Sequence, residues 1–277
     1  MRERRTIRNI AIFIFVTLAS GWLGLVLDRI LEPQAEGESL GMGLWLILPL
    51  LTTLCLRGFA GDGWRDMGLH PNLKANAKWY LVSLVIFPIG TATMLAIGKI
   101  TGWISFSNFG IQAFLQGFTG TLFFNFIKNI FEESVWRGYL AAKLIKLRTK
   151  DIWIYLIVGG VWGLWHLPYY LFFLSEQVMA PVLPVDRISF ALWAVFSMVC
   201  WSVMFVELFR ITGSLWPVVI LHMIEDSLIN HLIIDGHITI SAGKEILVSP
   251  VAGIITSFLY LTVGLLLRKS RLFKTTT

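Results

Sequence analysis

Charge is scarce in this chain. Only 14% of its 277 residues are Asp, Glu, Lys or Arg, while 56% are hydrophobic. Soluble domains run at about 25% charged and about 45 to 50% apolar, so a polytopic membrane protein is expected. Cysteine is nearly missing: Cys55 and Cys200 lie in apolar stretches and neither belongs to a CxxC pair. Such thiols behave as small hydrophobes, which leaves no disulfide framework and no redox compartment to assign. No HExxH occurs, so the two-histidine signature of zinc proteases is absent. There is also no internal repeat and no low-complexity tract, which argues against transporters built from duplicated halves.

What is there is a series of apolar segments centred near residues 20, 49, 89, 121, 163, 199, 224 and 258. Each can cross about 30 Å of hydrocarbon. The expectation is an all-α bundle of about eight transmembrane helices, a single integral-membrane domain over residues 1–277, with a polar catalytic cavity inside it. The first run, from Ile10 to Ile30, follows a basic start but has no small-residue cleavage site. It reads as a first helix rather than a signal peptide.

Basic residues alternate with the crossings. Arg2, Arg4, Arg5 and Arg8 precede the first helix, and the next loop, Glu32 to Ser39, has none. Arg57 and Lys74 flank the second connection, Lys143 and Lys150 the fourth, Arg210 the sixth, and Arg268 to Lys274 follow the eighth. The positive-inside rule then places both termini in the cytoplasm. A net charge of +6 gathered beside apolar runs fits anionic lipid rather than nucleic acid, and no nucleic-acid role is expected. The turn Gly61 to Leu69, rich in glycine and charge, reads as a solvated connector.

Against this background three polar motifs stand out. In Glu132-Glu133-Ser-Val-Trp-Arg137, Glu133 and Arg137 are four apart and share a helix face, while Glu132 is turned by about 100°. Pairing of Glu133 with Arg137 leaves Glu132 free to act as a general base. The structural alternative is a helix end in contact with headgroups. His166 lies in the fifth segment beside Trp162, Trp165 and Pro168; the proline lacks an N–H, so the helix should open there and expose carbonyls. As an isolated residue it is interhelical glue. His222 and Asp226 share a face of the seventh helix, with Glu225 turned elsewhere. They suit an oxyanion donor whose tautomer the aspartate fixes, or a structural pair in a wet cavity. His70, His231 and His237 are taken as surface residues. Ionisable groups at membrane depth are costly, and three such motifs in one chain point to function.

Taken in order, the motifs resemble the CAAX protease and bacteriocin-processing family, also called the Abi family, which includes the Ras-converting CAAX endopeptidases. Its pattern is EExxxR, FxxxH and HxxxN or HxxxD, here Glu132, Glu133 and Arg137, then Trp162 to His166, then His222 to Asp226. The resemblance spans about residues 110–235. It implies that Glu132 and His166 activate a water, that His222 with Asp226 stabilises the oxyanion, and that Glu133 and Arg137 hold the glutamate helix. Two departures stand out: Trp162 replaces phenylalanine, and Asp226 replaces the asparagine of the CAAX endopeptidases. An ionised aspartate cannot donate a hydrogen bond. The resemblance further implies a metal-free reaction, with zinc on the Glu, His and Asp side chains as the alternative.

The expected function is therefore an intramembrane endopeptidase of the CAAX prenyl protease 2 type, in a prokaryotic plasma membrane, cutting a membrane-associated peptide or lipidated protein. Two other classes remain open: a non-catalytic scaffold for a partner enzyme or signalling protein, and a proton-coupled carrier. Depth poses a problem for the first. Counted from the predicted inner boundary, Glu132 lies near the cytoplasmic face and His222 about 12 Å deep, with His166 deeper. Convergence requires the fourth helix to run past Lys143 and the fifth to tilt or begin later.

Overall fold

The computed structural model describes residues 2–31 and 39–276. The loop predicted to lack basic residues, 32–39, lies outside the described residues except at Ser39. Eight long helices carry the fold among the described residues: α1 (Arg2–Ile30), α2 (Leu40–Gly58), α3 (Leu73–Ile100), α4 (Ile111–Val135), α6 (Asp151–Trp165), α8 (Arg187–Thr212), α9 (Trp216–Ile234) and α11 (Ile254–Thr276). Three short helices punctuate them, α5 (Ala142–Lys146), α7 (Glu176–Met179) and α10 (Glu245–Val248). Each predicted segment centre falls inside one of the long helices.

Six of these helices are long and apolar enough to cross a membrane: α1, α2, α3, α6 with its continuation to Phe173, α8 and α9. The chain is an all-α polytopic membrane protein. Helices suit that setting because each satisfies its own backbone polar groups without water. The one sheet among the described residues is a two-residue pairing, β1 (Ile104–Ser105) antiparallel to β2 (Thr239–Ile240). Helix α4 falls outside the apolar six, since Asn125, Lys128, Asn129, Glu132 and Glu133 dilute its hydrophobicity.

Helix α1 packs along α2, α4 along α9, and α6 and α11 both against α8, while α3 also reaches α9. The α1–α2 start is pinned by Asp28, which accepts the Gly41 N–H at 2.8 Å, and by Ser39, which caps Met42 at 2.9 Å. Two helices are interrupted by π-helical turns, Trp136–Ala141 after α4 and Tyr169–Phe173 after α6. Single π turns within helices are frequent at functional sites.

The Gly61 to Leu69 turn is not a solvated connector. Asp62 is buried and accepts the Tyr139 hydroxyl at 2.7 Å, and its carbonyl accepts Lys143 Nζ at 2.9 Å. Asp66 pairs with Lys143 at 2.8 Å and with Arg57 at 2.7 Å, and Arg57 also donates to the carbonyls of Gly63 and Gly138. The Gly138 carbonyl belongs to the π turn, so the turn offers the guanidinium an acceptor. Burial pushes the Asp66 carboxyl up, but hydrogen bonds from Lys143 and Arg57 more than offset it and leave it below the ordinary carboxylate range. Charge that looks solvated in sequence is here a clamp between the α2–α3 loop and the end of the glutamate helix.

The same end of the bundle gathers the other basic groups. Arg210, Arg268 and Arg271 converge on Asp151 at 2.7 to 2.8 Å, and Arg271 also holds buried Glu207 at 2.6 Å. Asn76 donates to the Thr212 carbonyl and the Leu215 N–H to the Gly68 carbonyl, which seats the α8–α9 turn beneath the α2–α3 loop.

Candidate active site

The fourth helix does run past Lys143, as convergence of the motifs requires. Helical structure runs unbroken from α4 through the π turn and α5 to Lys146, so Glu132 sits fourteen residues, or about 21 Å of helical rise, from that end. His166 is fifteen residues beyond Asp151, about 22 Å along α6 by the same rise. The α8–α9 turn ahead of His222 is buried, with Ser214 fully covered.

Glu133 is the hub. Its Oε1 accepts Arg137 Nη1 at 2.8 Å and His222 Nδ1 at 2.8 Å. Both acid and guanidinium are fully buried. The Arg137 guanidinium also lies over the rings of Trp162, 4.4 Å from the centroid, and Phe205, 4.3 Å. Glu133 thus does more than hold its own helix: it fixes the imidazole on α9. Since a carboxylate only accepts, His222 Nδ1 carries its proton, and Nε2 faces Glu225 at 3.9 Å and Asp226 at 4.0 Å. Two expectations are corrected here. The bond that sets the His222 ring comes from Glu133 rather than Asp226, and Glu225 turns toward the site, because residues three and four apart both fall on one helical face.

Glu132 is not free either. Lys128, one turn earlier, contacts its Oε1 at 3.1 Å, and the Trp136 indole contacts Oε2 at 3.5 Å. The same ammonium reaches Asp226 Oδ2 at 3.0 Å, and the Asn129 amide donates to that oxygen at 2.7 Å. Asn125 donates to Ser227 at 2.9 Å. One face of α4 is therefore a polar ladder against α9. Sequence reasoning passed over Lys128 and Asn129, although each lies four residues before a glutamate, and that spacing was the available signal.

His166 ends α6. Its Nδ1 donates to the Trp162 carbonyl at 2.9 Å, which leaves Nε2 as the bare acceptor of the neutral ring. The opening expected from Pro168 is present: the Trp165 carbonyl accepts the Trp45 indole at 2.8 Å. The His166 ring stacks on Tyr170 and meets Trp165 edge-on. Trp162 bridges the two imidazoles, with edge contacts to His166 at 6.3 Å and His222 at 5.6 Å. Glu132 lies within electrostatic range of both histidines. The motif residues Glu132, Glu133, Arg137, His166, His222 and Asp226 thus share one neighbourhood.

His70 is exposed as expected. His237 is not: it is buried against Phe109 and Phe114. His231 is largely covered, joined to Thr121 at 3.1 Å and to Asp235. Cys55 and Cys200 are free thiols.

A cation site deserves the same scrutiny. His222, Glu225 and Asp226 bring ligand atoms within 4.8 Å of one another. The Asp226 oxygen, however, already receives an ammonium and an amide N–H. A metal ion there would face the Lys128 charge, and His166 stands outside the trio.

Residues 114–228 match the sequence model of the family described as Rce1-like, type II CAAX prenyl endopeptidase Rce1-like. That stretch contains every motif residue. No curated protein matches the chain.

Proposed function

From the premise that residues 114–228 carry the core of the Rce1-like type II CAAX prenyl endopeptidase family, we propose that this chain is an intramembrane endopeptidase that cuts prenylated, membrane-associated peptides at a CAAX-type C-terminus. The observation that carries the reading is the arrangement around Glu133: one carboxylate ties Arg137 and His222 together and leaves the neighbouring Glu132 beside two imidazoles.

In the proposed reaction a water lies between Glu132 and the bare Nε2 of His166. As its oxygen forms a bond to the peptide carbonyl carbon, its proton passes to Glu132 and the carbonyl π pair moves onto oxygen. His222, as imidazolium, donates from Nε2 to that oxyanion. Collapse reforms the carbonyl, breaks the C–N bond, and the leaving amine takes the proton from Glu132. Before attack, Glu132 exchanges its contact with Lys128 for the water. The reaction is proposed as metal-free, because the Lys128 ammonium holds the place beside Asp226 that a cation would need.

The end of the bundle rich in arginine and lysine is assigned to the cytoplasm, with both termini there, by the positive-inside rule. The membrane is proposed to be a prokaryotic plasma membrane, and the whole chain one integral-membrane domain.

The test is cleavage of an internally quenched farnesylated CAAX peptide by purified protein in lipid nanodiscs. Wild type is expected to cleave it, with chelators without effect. Glu132→Gln and His166→Ala should each lower kcat by about 10³-fold or more while the folded yield holds, as expected when a group acting in the transition state is lost. A chain that leaves the peptide intact, or variants that cut at the wild-type rate, would defeat the reading. The scaffold alternative predicts that Glu132→Gln complements a deletion in cells.

A further inference from the structure

The site is rich in acceptors and poor in donors. Glu132, Glu225 and Asp226 are carboxylates, and His166 Nε2 is bare because Nδ1 is spent on the Trp162 carbonyl. Arg137 has nitrogens without a partner, but it is fully buried, bonded to Glu133 and packed between the Trp162 and Phe205 rings. An oxyanion forming here would meet three carboxylates and one imidazolium. The ionised Asp226 side chain only accepts.

We propose that Lys128 supplies the missing donor: its ammonium, held by Asp226 and Glu132, is a second oxyanion-stabilising group of the peptidase. Three observations carry this. Lys128 lies at 3.0 Å from Asp226 and 3.1 Å from Glu132, bridging the helix of the base and the helix of the oxyanion side. It is the least covered charged group of the cluster, 23% exposed against 12% for Asp226 and 6% for Glu132, so it can turn toward an incoming carbonyl. An ammonium has three N–H donors, and two carboxylates occupy two of them. Asn129, donating to the same Asp226 oxygen at 2.7 Å, keeps that carboxylate in place while the ammonium shifts. The ammonium adds a positive charge where negative charge develops.

This inference rests on the peptidase reading, and the experiment separates the two. With the quenched farnesylated peptide in nanodiscs, Lys128→Met should lower kcat about 100-fold, as loss of one oxyanion donor does, with KM changed less than threefold. Adding Asp226→Asn to Lys128→Met supplies an amide donor and should recover kcat at least tenfold. Adding Asp226→Leu instead removes the same charge without giving a donor and should recover nothing. The last double variant leaves Asp226 and Lys128 both absent, so it strands neither of those two charges and serves where Lys128→Met does not fold. Wild-type turnover with Lys128→Met and Lys128→Met/Asp226→Leu both within threefold of it overturns the role of Lys128 alone. Equal rescue by asparagine and leucine overturns the donor role, since charge balance would then explain the effect. Absence of wild-type turnover overturns the peptidase reading instead.

Discussion

Two buried polar networks meet on the glutamate helix, and they are built on opposite principles. In the clamp at the charged end, the Asp66 carboxylate faces two cations, Arg57 and Lys143, while the Asp62 carboxylate accepts the Tyr139 hydroxyl and the Asp62 carbonyl accepts Lys143. Nearly every buried polar atom there has a partner; the exception is Arg57 Nε. At the site, Glu132 and Asp226 share Lys128, Glu133 holds Arg137, Glu225 faces only His222, and the partnerless atoms include Glu133 Oε2, Asn129 Oδ1 and two nitrogens of Arg137. A network whose task is to hold two segments together gains by satisfying every group, since each orphan costs about 1 to 3 kcal/mol. The second network leaves both acceptors and donors without partners, and it is the one that contains the motif residues.

The sharpest break in the comparison comes from neutralising one acid in each network. Glu132→Gln should abolish turnover at unchanged melting temperature. Asp66→Asn should leave kcat per folded molecule within about twofold and lower stability instead. Next in size, Lys143→Met removes a fully buried cation and leaves the Asp62 carbonyl and the Asp66 carboxylate each short of a donor. Breaking a buried pair from one side costs about 3 to 5 kcal/mol. The lower end of that range, about 3 kcal/mol, applies because Arg57 still reaches Asp66. Thermal unfolding in detergent, read beside peptide turnover, checks both variants; a Lys143→Met protein as stable as wild type would show that the clamp carries little.

Acid should then separate the two networks without mutation. The Asp66 carboxyl lies below its ordinary value of 3.8, so its contribution to stability is complete well above that value. It is lost as pH falls below 3.8 toward the folded-state value. Stability measured between pH 6 and about pH 3 should fall more steeply for wild type than for Asp66→Asn; parallel curves would remove Asp66 from the account. The smallest effect concerns His237. His237→Phe keeps the contacts with Phe109 and Phe114 and should move stability by less than about 1 kcal/mol, as a shape-conserving change does, with turnover unaltered.

The all-α membrane class, the positions of the long helices and the site motifs were legible because all are local. Hydrophobic run length needs only about 20 neighbouring residues, and Glu133 to Arg137 or His222 to Asp226 needs one helical turn. The errors at the site and in the loop were errors of partnership. Glu132 looked free because its partner, Lys128, lay upstream of the motif rather than within it. Asp226 looked like the partner of His222, since i to i+4 neighbours share a face, but a carboxylate across the helix interface, Glu133, came closer. The Gly61 to Leu69 turn looked solvated because glycine and charge usually are, whereas the partners of its aspartates come from residues about 80 positions away in sequence.

Composition and periodicity settled that this chain is a bundle of membrane helices bearing a costly set of carboxylates and imidazoles, because apolar length and helical spacing are properties of contiguous residues. Which acid meets which base was decided by packing alone. A hydrogen bond near 2.8 Å depends on how two helices are turned and shifted against each other, and those rotations are set by every side chain along the interface at once.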